Sequence, residues 1–301
     1  MKTATLITFV LLMSTGLHAS EVDNFTKRDA PLGDATVVLN KKANELIDEA
    51  VNAANRHHSC DEARLLHAVK VRFRNHFQDK FARYVHHGKD VPRRRIHIKE
   101  SIYQDFGLDS LVVGALGEVW DTTAFVIKMG DHQFGTDKWE HFFGRGFAYY
   151  KMHVIDKKPI EEVLKYGLGT EQGTLGALMT GVMSYGDLAA NFKGMHFFNH
   201  LLGKGKDYLS FEPSMGPYVT CVEGKWKRTQ QIDLLPYVDD SWDEAMNCSL
   251  FRTEQLLDKV KERLANLGMS CPLNPEKAEN LSSYFGPYAP YVLNIKGNGV
   301  K

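Results

Sequence analysis

The chain has 301 residues, 43% of them hydrophobic and 25% charged, and its 37 Lys and Arg balance its 37 Asp and Glu to a formal net charge of zero. That balance leaves no basic footprint for nucleic acid, which is excluded as a partner on bulk charge. Its length suits one large domain, or one domain with an appendage.

Met1-Lys2 gives a short positive start, Leu6 to Met13 is apolar apart from Thr8, and Leu17-His18-Ala19 ends in a small residue suited to cleavage. Residues 1–20 therefore read as a secretory signal peptide, with an uncleaved anchor as the alternative, and predict a periplasmic or secreted protein. Four cysteines follow, Cys60, Cys221, Cys248 and Cys271, with no C-x-x-C to suggest a zinc ribbon or a thioredoxin motif. Two structural disulfides are expected. One pair among Cys221, Cys248 and Cys271 would staple the C-terminal region, and Cys60 would tie the N-terminal helices to it.

After an N-terminal extension over 21–36, the apolar spacing of Leu39, Ala43, Leu46, Ile47, Ala50 and Val51 predicts a helix over 37–57. A second helix is predicted over 61–87, stopped by Pro92. Between Asp61 and Glu100, eleven Lys or Arg stand against five Asp or Glu. The run ending in Arg93-Arg94-Arg95 reads as a patch for anionic polymers or lipid headgroups, or as a solvated helix face. Leu111 to Met129 is expected to be helical and closed by Gly130. A helix capped by Thr136 should then run to Val154. Pro159 opens a short helix expected to break at Gly167-Leu168-Gly169-Thr170. A further helix starts at Glu171 and leads to one ending near Gly203, with glycines that permit close helix approach. No strand is predicted before Tyr208. The fold expected for 37–205 is an all-α, multi-helix domain. Residues 206–301 form an irregular, disulfide-stapled extension with a hairpin between Tyr218 and Ile232, one helix from Ser249 to Leu267, and an extended tail from Cys271.

The chemistry lies in two segments. Asp137 and His141 are one helical turn apart, as are Asp187 and Asn191, with Ser184 on the latter stripe. Their flanks are apolar, so both stripes should face inward, and buried charges need partners. Asp187 would find donors in Lys138 or His141; the bland reading is a helix–helix clamp. Asp137 would orient His141, as in a general base or a ligand-holding imidazole, or would serve only the helix dipole. Glu171 would complete an acid–base pair or a metal site of mixed oxygen and nitrogen ligands, or would be merely an acid at a helix N-terminus. No particular metal or cofactor is assigned. Glu140 and Arg145 are expected to face solvent, and His57, His58, His86, His87, His196 and His200 to lie at a surface or interface.

The series Asp137-Lys138-x-x-His141-Phe142, Glu171 near glycines, and Ser184-x-x-Asp187-x-x-x-Asn191-x-x-Gly194 resembles the signature of the VanZ-like proteins and their small periplasmic relatives, over about sixty residues. By that likeness Asp137, Lys138, His141, Glu171, Asp187 and Asn191 would be the family's shared polar positions. The resemblance implies a cell-envelope role rather than a defined reaction. Typical members cross the membrane several times. Here Arg145 and Lys151 sit on the first motif helix and no long apolar run follows the leader, which suggests a soluble or peripherally attached variant.

The expected function is an envelope hydrolase acting on a peptidoglycan-related or lipid-linked substrate. His141 with Asp137, Glu171 or Asp187 would be base and acid, Lys138 would neutralise developing charge, and Asn191 and Ser184 would orient the substrate or Asp187. The alternatives are a non-catalytic binding or scaffold protein that holds an anionic polymer, and a lysozyme-like muramidase built on Glu140 or Glu171.

Overall fold

A computed structural model describes residues 21–56, 59–74, 80–110, 113, 123–173, 177–211 and 215–301. The expected signal peptide lies outside the described residues. Among the described residues, about 53% are helical and 10% are strand. The strands form three small sheets, so the fold is mixed α/β and the all-α expectation was wrong.

Helix α1 (Thr36–Ala54) buries Leu39, Ala43, Leu46, Ile47, Ala50 and Val51, as its spacing predicts. The single helix expected over 61–87 is described as two pieces, α2 (Glu62–Phe73) and α3 (Lys80–His87). Next come β1 (Arg94–Arg95), β2 (Phe125–Met129) and β3 (His132–Gly135), an antiparallel sheet in the order β1-β2-β3. Part of the predicted helix over 111–129 lies outside the described residues, and its end is strand β2. Val126 and Ile127 are β-branched, and Gly130, at φ +56°, turns the chain into β3. Strands of two to five residues are too short to display a period of two, which is why the sequence hid them.

The Arg93-Arg94-Arg95 end of the basic run is not a helix face. Arg94 and Arg95 form β1, Arg93 and Arg95 lie over the Phe125 ring at 5.3 and 5.1 Å, and Arg94 donates to Gln133 and the Ala30 carbonyl.

Strand β3 delivers the first motif helix, which runs unbroken as α4 (Lys138–Glu140), a π-turn (His141–Arg145), α5 (Gly146–Tyr150) and a second π-turn (Lys151–Ile155). Helix α6 (Ile160–Gln172) passes straight through Gly167 and Gly169, so the expected break there is absent. α7 (Ala177–Thr180) and β4 (Val182–Met183) lead into α8 (Tyr185–Leu202). Ser184 caps α8 by accepting from the Asp187 amide at 3.2 Å, and Gly203, left-handed at φ +64°, ends it.

Further on, β5 (Val219–Val222) and β6 (Lys225–Arg228) make the expected hairpin. β7 (Leu250–Phe251) pairs antiparallel with β4 and parallel with β8 (Gly299–Val300). α9 (Glu254–Asn266) matches the predicted C-terminal helix. The tail is not simply extended. It contains α10 (Pro275–Phe285) and α11 (Ala289–Val292), and Phe285 and Val292 join the same core as the motif helices. The disulfides are Cys60–Cys221 and Cys248–Cys271, the pattern expected.

The two motif helices cross where Gly146 meets Gly194. A Cβ on Gly194 would lie 1.9 Å from the Phe142 carbonyl oxygen, so only glycine allows this approach. The outer side of the first motif helix is sealed by aromatics. Trp139 packs on Trp242 at 5.0 Å and on Phe143 at 5.8 Å, and Phe142 on Tyr237 at 5.3 Å.

Candidate functional site: a lysine nest and an imidazole rim

The N-terminus of the first motif helix points Lys138 into the crossing with α8, where its side chain is fully buried. Gly186 makes room for it, since a Cβ there would stand 2.9 Å from Lys138 Cε. Its ammonium donates to Asp137 Oδ2 at 2.6 Å and to Glu244 Oε1 at 2.7 Å, and forms an ion pair with Asp187 Oδ1 at 2.7 Å. Three carboxylates thus surround a single ammonium. Burial alone would lower the Lys138 pKa, but the three carboxylates raise it well above the usual lysine value.

Glu244 comes from the segment after Trp242, whose edge-to-face packing on Trp139 brings the two regions together. Ser184 Oγ donates to Glu244 Oε1 at 2.6 Å, and Ser249 Oγ to Oε2 at 3.4 Å. Glu21 is also buried here. Desolvation and the charges of Glu244 and Asp187 push its pKa well up, against a hydrogen bond from Thr180. Glu244 and Asp137 are raised too, first by desolvation and then by neighbouring carboxylates, with Lys138 opposing.

One turn after Asp137, His141 begins the π-turn. Widened turns of this kind often occur at functional sites. Its Nε2 lies 3.1 Å from Asp187 Oδ2 and its Nδ1 lies 3.2 Å from Asn191 Oδ1. Glu171 Oε1 lies 3.9 Å from the same Nδ1. The imidazole, 22% exposed, is the member of this group that reaches solvent most, against 12% for Asp187 and 4% for Glu171.

Asp187 and Glu171 are driven apart. Burial would raise Asp187, but the charges of His141 and Lys138, with hydrogen bonds from Lys138 and Ser184, hold it below the usual carboxylate range. Desolvation and then the Asp187 charge raise Glu171 well above that range, with Arg145 and Lys138 opposing weakly. Glu171 also sits in the last turn of α6, where the helix dipole disfavours an anion. The expectation that it opens a helix was wrong, because Gly167 and Gly169 are carried inside α6.

All the residues singled out from the sequence thus converge. Asp137, Lys138, Asp187 and Ser184 lie in the nest, and His141, Glu171 and Asn191 at the rim. Asp137 serves Lys138, with no direct hydrogen bond to His141, and Lys138 is sealed away from solvent among the carboxylates. Glu244 and Glu21 were missed. The available signal was the acidic run Asp239, Asp240, Asp243 and Glu244 beside Trp242, since a buried lysine needs more than one counter-charge.

The expectation of peripheral histidines fails for two of them, while His57 and His58 lie outside the described residues. His196 is fully buried, and burial pushes its pKa down to about 3. His200 is held between the Tyr237 hydroxyl at 2.6 Å and Asp207 at 2.9 Å. Glu140 is half-buried against His86 at 3.6 Å. Two surface concavities, one lined by His153, Lys158 and Lys204, the other by Asn40, Asp48 and Arg228, contain no residue of the cluster.

Among the described residues, no helix is long and apolar enough to cross a membrane, and both cysteine pairs are oxidised, in keeping with an oxidising compartment. Together, fold and site define a mixed α/β protein built around a buried lysine–carboxylate nest with an imidazole at its edge. Comparison with protein-family models, curated proteins and solved structures gives no match.

Proposed function

We propose that the protein is a hydrolase of the bacterial cell envelope whose reaction centre is the rim formed by His141, Asp187 and Glu171. The observation that carries this reading is the solvent-reaching imidazole, fixed at Nε2 by Asp187, with its Nδ1 turned toward a buried carboxyl group that favours its protonated form. Two carboxyl groups whose environments separate their proton affinities are the usual basis for dividing acid and base roles.

In the reaction, the Glu171 carboxylate, whose raised proton affinity suits a base, takes a proton from water as the water oxygen attacks the electrophilic centre. His141, whose Nδ1–H faces the Asn191 amide oxygen and whose Nε2–H faces Asp187, gives a proton to the leaving atom, and the proton on Glu171 then restores His141. Asn191 steadies the ring, and Lys138 acts through Asp187 as a positioning residue.

Support for the envelope comes from the VanZ-like motif, the two disulfides and the leader-like N-terminus. The substrate class is a peptidoglycan-related polymer or a lipid-linked precursor, met in the periplasm, with peripheral membrane contact for the latter. The test is release of soluble fragments from purified peptidoglycan, and of headgroup from lipid-linked disaccharide in vesicles, by wild type and Asp187→Asn. Turnover of one substrate that drops in the variant supports the reading; turnover of neither overturns it.

A non-catalytic scaffold is favoured by one observation, the complete sealing of Lys138. It applies to the nest and leaves the exposed imidazole unexplained. No comparable observation favours the muramidase alternative, since Glu140 is engaged by His86.

A further inference from the structure

The cluster contains two carboxylate-rich triads that share Asp187. In one, Asp137, Asp187 and Glu244 surround a point already filled by a cation, the Lys138 ammonium, at 2.6 to 2.7 Å from each. In the other, His141, Glu171 and Asp187 each offer one ligand atom, all within 4.8 Å of one another. There, among the described residues, no lysine or arginine forms an ion pair with Glu171. Glu171 is 96% buried by its 4% exposure, and its carboxylate makes no hydrogen bond to any described residue. Its nearest partner is His141 Nδ1 at 3.9 Å, beyond hydrogen-bond distance.

A buried carboxylate of this kind, aimed at an imidazole and a second carboxylate, is short of a positive partner. We infer that His141, Glu171 and Asp187 form a binding site for one divalent first-row transition-metal ion of the zinc or manganese class. An imidazole with two carboxylates is a mixed nitrogen and oxygen donor set. Zinc and manganese accept such a set, whereas magnesium and calcium favour all-oxygen cages. Three protein ligands leave coordination positions for water or substrate. Asn191 on one side of the ring and Lys138 on the far oxygen of Asp187 fix the orientation of two ligands, as outer partners do in metal sites.

This inference rests on the reading of these three residues as one reaction centre. An ion there would supply the electrophilic assistance that the His141 proton supplies without it.

The test titrates the purified, EDTA-stripped chain with ZnCl2 or MnCl2 alone in a calorimeter. The expected result is one equivalent bound per chain, weakened at least about tenfold in His141→Gln and in Glu171→Gln. Binding should be unchanged in His132→Gln, whose imidazole pairs with Asp240 elsewhere. Wild type carries a second readout that needs no variant: Co2+ should shift the His141 ring-proton resonances. No saturable binding of either ion, or binding indifferent to both rim variants with His141 unshifted, overturns the site. Absent binding with hydrolysis intact in stripped protein removes the metal and leaves the acid–base centre. Binding at the triad with no hydrolysis in any form removes the proposed function and leaves the metal site.

Discussion

Lys138 and His141, three positions apart on one helix, hold opposite oxygens of the same carboxylate: Asp187 Oδ1 lies 2.7 Å from Lys138 Nζ, and Oδ2 lies 3.1 Å from His141 Nε2. Asp187 therefore couples a sealed structural pair to a solvent-reaching imidazole. The nest and the rim can be separated by mutation.

Replacing Lys138 with Met leaves the buried Asp137, Asp187 and Glu244 carboxylates uncompensated. The expected loss is about 3–5 kcal/mol of folding free energy near neutral pH, read by urea denaturation. Without the ammonium these carboxyls bind protons more tightly in the folded state, so the loss should shrink as pH falls and they become neutral.

Glu171 and Asp187 should give stability–pH profiles of opposite sign. The folded-state pKa of Glu171 is raised above 4.5, so the folded chain binds the extra proton and stability falls as pH rises from 4.5 through the raised value. Glu171→Gln should match wild type below pH 4.5 and exceed it increasingly above, in metal-free protein. Asp187 is lowered below 3.8, so its contribution is present above that pH and is lost as pH falls through the folded value. Asp187→Asn should be destabilised at pH 7, with the gap narrowing in acid. Denaturation curves between pH 3 and 8 check both signs.

Two glycines make a paired test of the helix crossing. Gly194→Ala drives a methyl to 1.9 Å from the Phe142 carbonyl and should cost at least about 1–3 kcal/mol, the usual cost of overpacking. Gly169, inside α6, has nothing within 4 Å of the position a Cβ would take. Gly169→Ala should therefore stabilise by about 0.5–1 kcal/mol through helix propensity. Thermal melts of the two variants should move in opposite directions.

The helical skeleton was legible because α1 and α9 bury long periodic faces and because α8, buried on every side, ends at Gly203, although its start at Ser184 was left open. Asp137, Lys138, His141, Asp187 and Asn191 could be grouped because local helical spacing fixes their faces. The sheets could not, since a strand such as Val182–Met183 is defined by its partner Leu250–Phe251, nearly seventy positions away. The same holds for Glu244 and Glu21. Their place beside Lys138 is set by the packing of Trp242 on Trp139 and by the buried course of the N-terminal segment, neither of which has a local signal. Glu171 was assigned to the wrong end of a helix because two glycines look like a break, but Ile160, Val163 and Leu164 bury enough surface to carry α6 through them.

The most direct measurement is a double-mutant cycle with His141→Gln and Glu171→Gln, recording hydrolysis rate and folding free energy for each variant on the substrate that wild type turns over. If both residues serve one reaction, each single variant loses about 10²–10⁴-fold in rate, the double variant loses little more than the worse single, and His141→Gln changes stability by less than about 1 kcal/mol. Rates that track stability, or a double variant whose rate loss is the full product of the singles, would contradict a shared reaction centre.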